Sequence, residues 1–159
     1  MRFGSSAWTG FFSCIPGRRV EVLPWLAAHA IVVAAASGLY IVDPEIPEEF
    51  AGFAAPVGLT GVIFDEAGTN LFAADSLRVY AFSADRKFRW ISEALDGYGA
   101  RLCGCGGRVV AVEVTPFNRW GLEEDEEERT MVRLRAEDGT ALRSRFSIAY
   151  RYWRRNQAA

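Results

Sequence analysis

Apolar and polar positions alternate along much of this chain with a period of two, the spacing of a strand with one buried face. The clearest stretch is Leu71–Ser92. Leu71-Phe72-Ala73-Ala74 is a short apolar run, and Asp75-Ser76 supplies turn chemistry. Arg78–Phe82 reads as a β-branched and aromatic strand, and Ser83-Ala84-Asp85-Arg86 as a hairpin loop. Lys87–Ile91 closes the unit, with Phe88 and Trp90 expected on one face and Lys87 and Arg89 on the other. Three such strands with a bulky aromatic face are not stable alone in water and must be packed on something similar.

The same pattern extends in both directions. Arg18–Trp25 predicts a first strand, broken by Pro24; Ala30–Ala35 and Leu39–Val42 predict two more, joined at Ser37-Gly38. Residues 1–17, ending in Pro16-Gly17, form a loosely tied arm, and residues 18–155 carry the β repeats of a single domain spanning 1–159. Asp43–Pro56 is rich in Pro and Glu and is expected to be a loop or ragged edge. Gly61–Asp65 predicts a strand and Glu66–Asn70 a turn; Leu95–Gly99 turns the chain before a short strand, Ala100–Cys105. Arg108–Val114 follows a glycine turn and sets Val110, Val112 and Val114 on one face. Thr115–Arg129 is an insertion. Thr130–Ala136 alternates again, with Val132 and Leu134 opposite Arg133 and Arg135; Asp138-Gly139 then reads as a hairpin turn into Ala141–Trp153, where Leu142, Phe146, Ile148 and Tyr150 share a face. No segment predicts a helix, so the expected class is all-β.

Three segments share one grammar: Val33–Asp43, Leu71–Asp85 and Val110–Asp138. The Leu39 and Val79 strands start 40 positions apart, and the next step, to Val132, is 53, the excess matching the insertion. Periods near 40 residues with about four short strands each are those of propeller blades. Within Tyr80–Trp90, Ala81, Asp85, Lys87 and Trp90 resemble the blade motif of quinoprotein-type (PQQ-like) and WD40-like β-propellers, in which a Trp docks between blades. Ser83 stands where that motif has Asp, and Arg86 where it has Gly. The resemblance implies about three short antiparallel four-stranded blades in a partial propeller, with Ala81, Asp85 and Trp90 as blade-docking residues. It implies packing rather than chemistry, because no residue here matches the quinone or metal site of that family. Short chains of this kind occur among bacterial proteins, some as partners of toxins. About three blades do not close a ring of at least four, so the ends must be covered by arm and tail, or by a second chain; a monomer or a homodimer is expected.

Composition narrows the function. A net charge of −2 favours neither nucleic-acid binding nor a membrane surface, and three cysteines, an odd number, point to a reducing, cytoplasmic setting rather than a disulfide framework. Leu26–Val42, the longest apolar stretch, holds His29, Ser37 and Gly38 and falls short of a membrane span. His29 is the only histidine, and no Gly-x-Ser-x-Gly elbow accompanies it. Cys103 and Cys105 flank a glycine; with Cys14 and His29 they would make a thiolate–imidazole set, but the spacing is not that of a zinc knuckle, and free thiols beside a turn are expected, with neither metal nor cofactor.

Two readings of function follow. The first is a non-enzymatic module that binds another protein, a toxin-neutralising (immunity-type) or regulatory partner being the concrete form. Its expected contact residues are Trp120 and the acidic block Glu123, Glu124, Asp125, Glu126, Glu127 and Glu128, where six like charges in a row give no packing; Phe117 and Trp153 are further aromatic candidates. The second is a small-ligand binder or hydrolase with carboxylates at the mouth of the β scaffold, drawn from Asp43, Asp75, Asp85 and Asp96, although turn geometry alone places aspartates there.

Overall fold

A computed structural model describes residues 10–12, 20–35, 37–55, 58–116 and 129–142. The chain forms three antiparallel sheets, each meandering in chain order. The first contains β1 (Glu21–Trp25), β2 (Ala30–Ala35), β3 (Gly38–Val42) and β4 (Phe50–Ala54). The second contains β5 (Leu59–Phe64), β6 (Asn70–Asp75), β7 (Val79–Ser83) and β8 (Phe88–Ile91). The third contains β9 (Gly97–Gly106), β10 (Val109–Pro116) and β11 (Thr130–Arg135). Beyond β11 the chain turns back: Ala141 bridges Leu134, and the Leu142 N–H donates to the Arg133 carbonyl at 2.7 Å. The only helical element among the described residues is a single 3-10 turn, Leu26–Ala28.

The sheets stack face to face, and the middle one is buried on both sides. Leu71, Ala73, Tyr80 and Phe82 pack against Trp25, Ala30, Val32, Leu39 and Ile41 of the first sheet. Their sequence neighbours Phe72, Ala74, Val79 and Ala81 pack the opposite way, against Ala100, Val110, Val112, Val114 and Leu134 of the third. Alternation along β6 and β7 therefore sorts residues between two cores rather than between core and water. This explains why both strands read as unbroken apolar runs. Hydrophobic burial on both faces is the main stabilising term.

Most expected strands form, and β10 places Val110, Val112 and Val114 together in the interior. Pro24 lies inside β1 rather than breaking it; β1 is an edge strand, where a missing N–H removes no ladder bond if it faces outward. β9 is longer than the expected Ala100–Cys105: it runs Gly97–Gly106 and takes in residues expected to turn. Two further expectations fail. First, Asp43–Pro56, expected as a loop or ragged edge, holds a regular edge strand: Phe50–Ala54 pairs in unbroken register with β3. Ala-Gly-rich Phe50-Ala51-Gly52-Phe53-Ala54 has little strand propensity of its own; the exposed edge of β3 supplies its partners. Close pairing here requires Gly38, since a Cβ there would lie 2.6 Å from the Phe53 carbonyl oxygen.

Second, Phe88 and Trp90 do not share a face. Ala81 pairs with Trp90 but Phe82 pairs with Phe88, so Arg89 is an extra residue, a β-bulge. The bulge reverses the alternation. Phe88 turns to the first sheet and stacks on Phe53, ring centroids 5.9 Å apart, while Trp90 turns to the third.

Candidate interaction surface

Among the described residues, Trp25, Trp90 and Arg86 use their polar atoms to join one sheet to the next. Trp25 ends β1 and reaches the β5–β6 turn, where its indole N–H donates to the Gly68 carbonyl at 2.6 Å. That turn is organised by Asp65, whose carboxylate accepts the backbone N–H groups of Thr69 and Asn70 and both their side chains. Burial pushes the Asp65 carboxyl up, but those donors outweigh it and hold it below the ordinary carboxylate range.

Trp90 makes the corresponding contact at the second junction. Its N–H donates to the Ala136 carbonyl at 3.0 Å, and its ring lies against Gly139. The two turns reached by these indoles have related sequences, Glu66-Ala67-Gly68-Thr69 and Glu137-Asp138-Gly139-Thr140, and both glycines are left-handed, at φ +67° and +73°. A Cβ on Gly139 would lie 2.5 Å from Trp90 Cε3. Ala81, fully buried and paired with Trp90, lies in the same core.

Arg86 is the third connector. It occupies the left-handed position of the β7–β8 turn at φ 64°, a conformation that favours glycine. Its guanidinium donates to the Ala28 and His29 carbonyls and pairs with Asp43 at 2.7 Å, so one side chain ties the β7–β8 turn to two connections of the first sheet. The Arg86 hydrogen bond holds the Asp43 carboxyl below its ordinary range.

The other candidate carboxylates serve their own neighbourhoods. Asp75 is buried; it accepts the Leu77 and Arg78 N–H groups and the Tyr80 hydroxyl. Burial, then the bond to Asp75, pushes the Tyr80 phenol far up. Asp85 is exposed, accepts the Ser83 hydroxyl and pairs with Lys87 at 3.0 Å; these contacts stay within the β7–β8 turn. Asp96 is exposed between β8 and β9. His29 follows the 3-10 turn at φ 46°.

A bulge in β9 separates the two described cysteines. Gly104 pairs with Ala111 and Leu102 with Val112, leaving Cys103 as the extra residue. Cys105 packs at the core of the second and third sheets, near Asp65 and Glu66, whereas Cys103 is exposed beside Glu113. Burial first, and these acids second, push both thiols up. Among the described residues, no three His, Cys, Asp or Glu side chains gather as a metal site. None of the helices among them is long and apolar enough to cross a membrane.

The two end faces of the stack differ. By alternation, the outer face of the third sheet presents Arg101, Glu113, Arg133 and Arg135. By the same alternation the outer side of the first sheet carries Val22, Ile31, Val33, Tyr40, Val42 and Phe50, without a charged side chain; Val33 and Val42 are buried, and Val22 and Phe50 are exposed. Phe12 lies over Tyr40, ring centroids 5.1 Å apart. Trp120 and Glu123–Glu128, together with Phe117, Trp153 and Cys14, lie outside the described residues. The ends of the acidic segment are nonetheless placed: it connects β10 to β11, which pair directly up to Val114 and Thr130. Sequence reasoning missed Arg86 and Trp25 as connectors. A scan against protein-family models finds no match, and a comparison with curated proteins finds no significant one.

Proposed function

We propose that this chain is a non-enzymatic protein-binding module, a partial propeller of short blades that presents the 117–129 segment to a basic partner. The observation that carries this reading is an excess of chain. β9 and β10 are joined by only Gly107 and Arg108, both at positive φ, whereas β10 and β11, equally well paired, are joined through residues 117–129. Pairing needs no such excursion, and long connections of this kind are typically functional. This one holds Trp120, an aromatic anchor type, and six consecutive acids, Glu123–Glu128. Such a block attracts a cationic surface and speeds encounter with it. The blade reading draws support from the two indole-to-turn junctions at Gly68 and Ala136. A toxin-neutralising or regulatory partner is the concrete form.

Affinity capture from host extract, with wild type beside a variant carrying Gln or Asn at residues 123–128, tests the proposal. A basic protein held by wild type, released by salt and absent from the variant eluate is the expected result. Equal recovery on both baits would overturn it.

A further inference from the structure

The outer edge of β4 is built to pair with β4 of a second copy, and we infer that the chain self-associates through it. The other described edges are blunted or covered. β1 carries Pro24, β8 carries the Arg89 bulge, β5 and β9 lie against each other, and β11 is met by the returning chain at Ala141. β4 has no charge, proline or bulge, the devices by which sheet edges avoid one another.

The backbone sets the register. The Ala55 N–H donates to the Ser37 carbonyl. In an antiparallel ladder, bonded pairs alternate, so Phe53 and Ala51 also bond inward to β3, and the N–H and C=O groups of Phe50, Gly52 and Ala54 face out. An antiparallel pair centred on Gly52 places Gly52 opposite Gly52 of the second copy and Phe50 opposite its Ala54. All three outward residues then meet outward residues.

The side chains fit the same register. Phe50 and Ala54 lie on the outer face, and an open hollow of about 400 Å³ is lined by Ser37, Tyr40, Gly52, Phe53 and Ala54. In the single chain the Phe50 ring, 56% exposed, lies over its own Gly52 and 6.1 Å from Tyr40; in the dimer it would turn to the site beside the facing Ala54. Two-fold symmetry repeats this knob and hollow, as an isologous interface requires. Glu49 falls opposite Ala55 rather than another acid. This inference is independent of the proposed basic partner.

Cysteine cross-linking and sedimentation test it. Gly52→Cys brings two thiols across the axis with Cα atoms about 5.5 Å apart, within disulfide range; Ala51→Cys does not meet its own copy. Oxidation should yield a covalent dimer from the first variant, with the second no different from wild type. Sedimentation of wild type should show a concentration-dependent dimer, weakened at least about tenfold by the exposed substitution Ala54→Lys; circular dichroism checks that the variant is folded. Hydrogen exchange should protect the Gly52 and Ala54 amides more as concentration rises. A monomer at every concentration, a dimer indifferent to Ala54→Lys, equal cross-linking at 51, or protection independent of concentration (an occupant from the same chain) would each overturn it.

Discussion

Gly139→Ala isolates the docking of Trp90 from the ordinary cost of a turn. Two terms oppose the new methyl group. Alanine at φ +73° occupies the left-handed region, which costs about 1 kcal/mol. The Cβ also falls 2.5 Å from Trp90 Cε3 and 2.8 Å from Cζ3, inside any real contact distance. Trp90 does not yield easily, because its N–H is held by the Ala136 carbonyl and its ring lies 5.8 Å from Phe72 in a close-packed core. Overpacking of this kind costs about 1–3 kcal/mol, so the total is about 2–4 kcal/mol. Gly68→Ala is the matched control: φ is +67° and nothing lies within 4 Å of its Cβ, leaving the conformational term of about 1 kcal/mol. Urea unfolding followed by far-ultraviolet circular dichroism measures both, provided the m-value is unchanged. Trp90→Leu in the Gly139→Ala background should recover part of the loss, giving a coupling of about 1 kcal/mol or more. Equal losses at positions 68 and 139, or strict additivity with Trp90→Leu, would refute the reasoning.

Arg86→Gly should destabilise the chain even though it relieves a left-handed residue, because three hydrogen bonds to Ala28, His29 and Asp43 are lost, whereas Arg108→Gly, at a similar φ of 65°, should be neutral or mildly stabilising; thermal melts of the two distinguish strain from tethering. Asp65 has a folded pKa below its unfolded value of 3.8, so its contribution is fully present above about pH 4 and fades as pH falls through the lowered folded value. The stability gap between wild type and Asp65→Asn should therefore be constant near neutrality and shrink below about pH 4 in acid titrations. Cys103 and Cys105 should be alkylated with rate midpoints above that of an ordinary thiol, Cys105 more slowly because it is half-buried; mass-resolved labelling across pH reads both.

Much of the architecture was legible from local pattern. Strands with β-branched and aromatic alternation, such as β7, β10 and β11, declare themselves, because side-chain period and turn chemistry are properties of a few adjacent residues. β4 did not: Phe50–Ala54 is a strand only because β3 offers it hydrogen bonds. The candidate contact segment was visible as composition, and the structure adds that it joins β10 to β11, which pair up to Val114 and Thr130.

The sequence alone determined that this chain is all-β, where most strands begin and end, and that the Leu71–Ser92 strands must pack an aromatic face on a similar unit. Only tertiary structure decided which core each side chain enters. The Arg89 bulge sends Phe88 and Trp90 to opposite sheets, and Arg86, Trp25 and Trp90 find their carbonyl partners 46 to 58 positions away or, for Trp25, 43. One inserted residue inverts every facing beyond it, and a hydrogen bond across a sheet junction leaves no periodic trace, so neither is written in the spacing of neighbours.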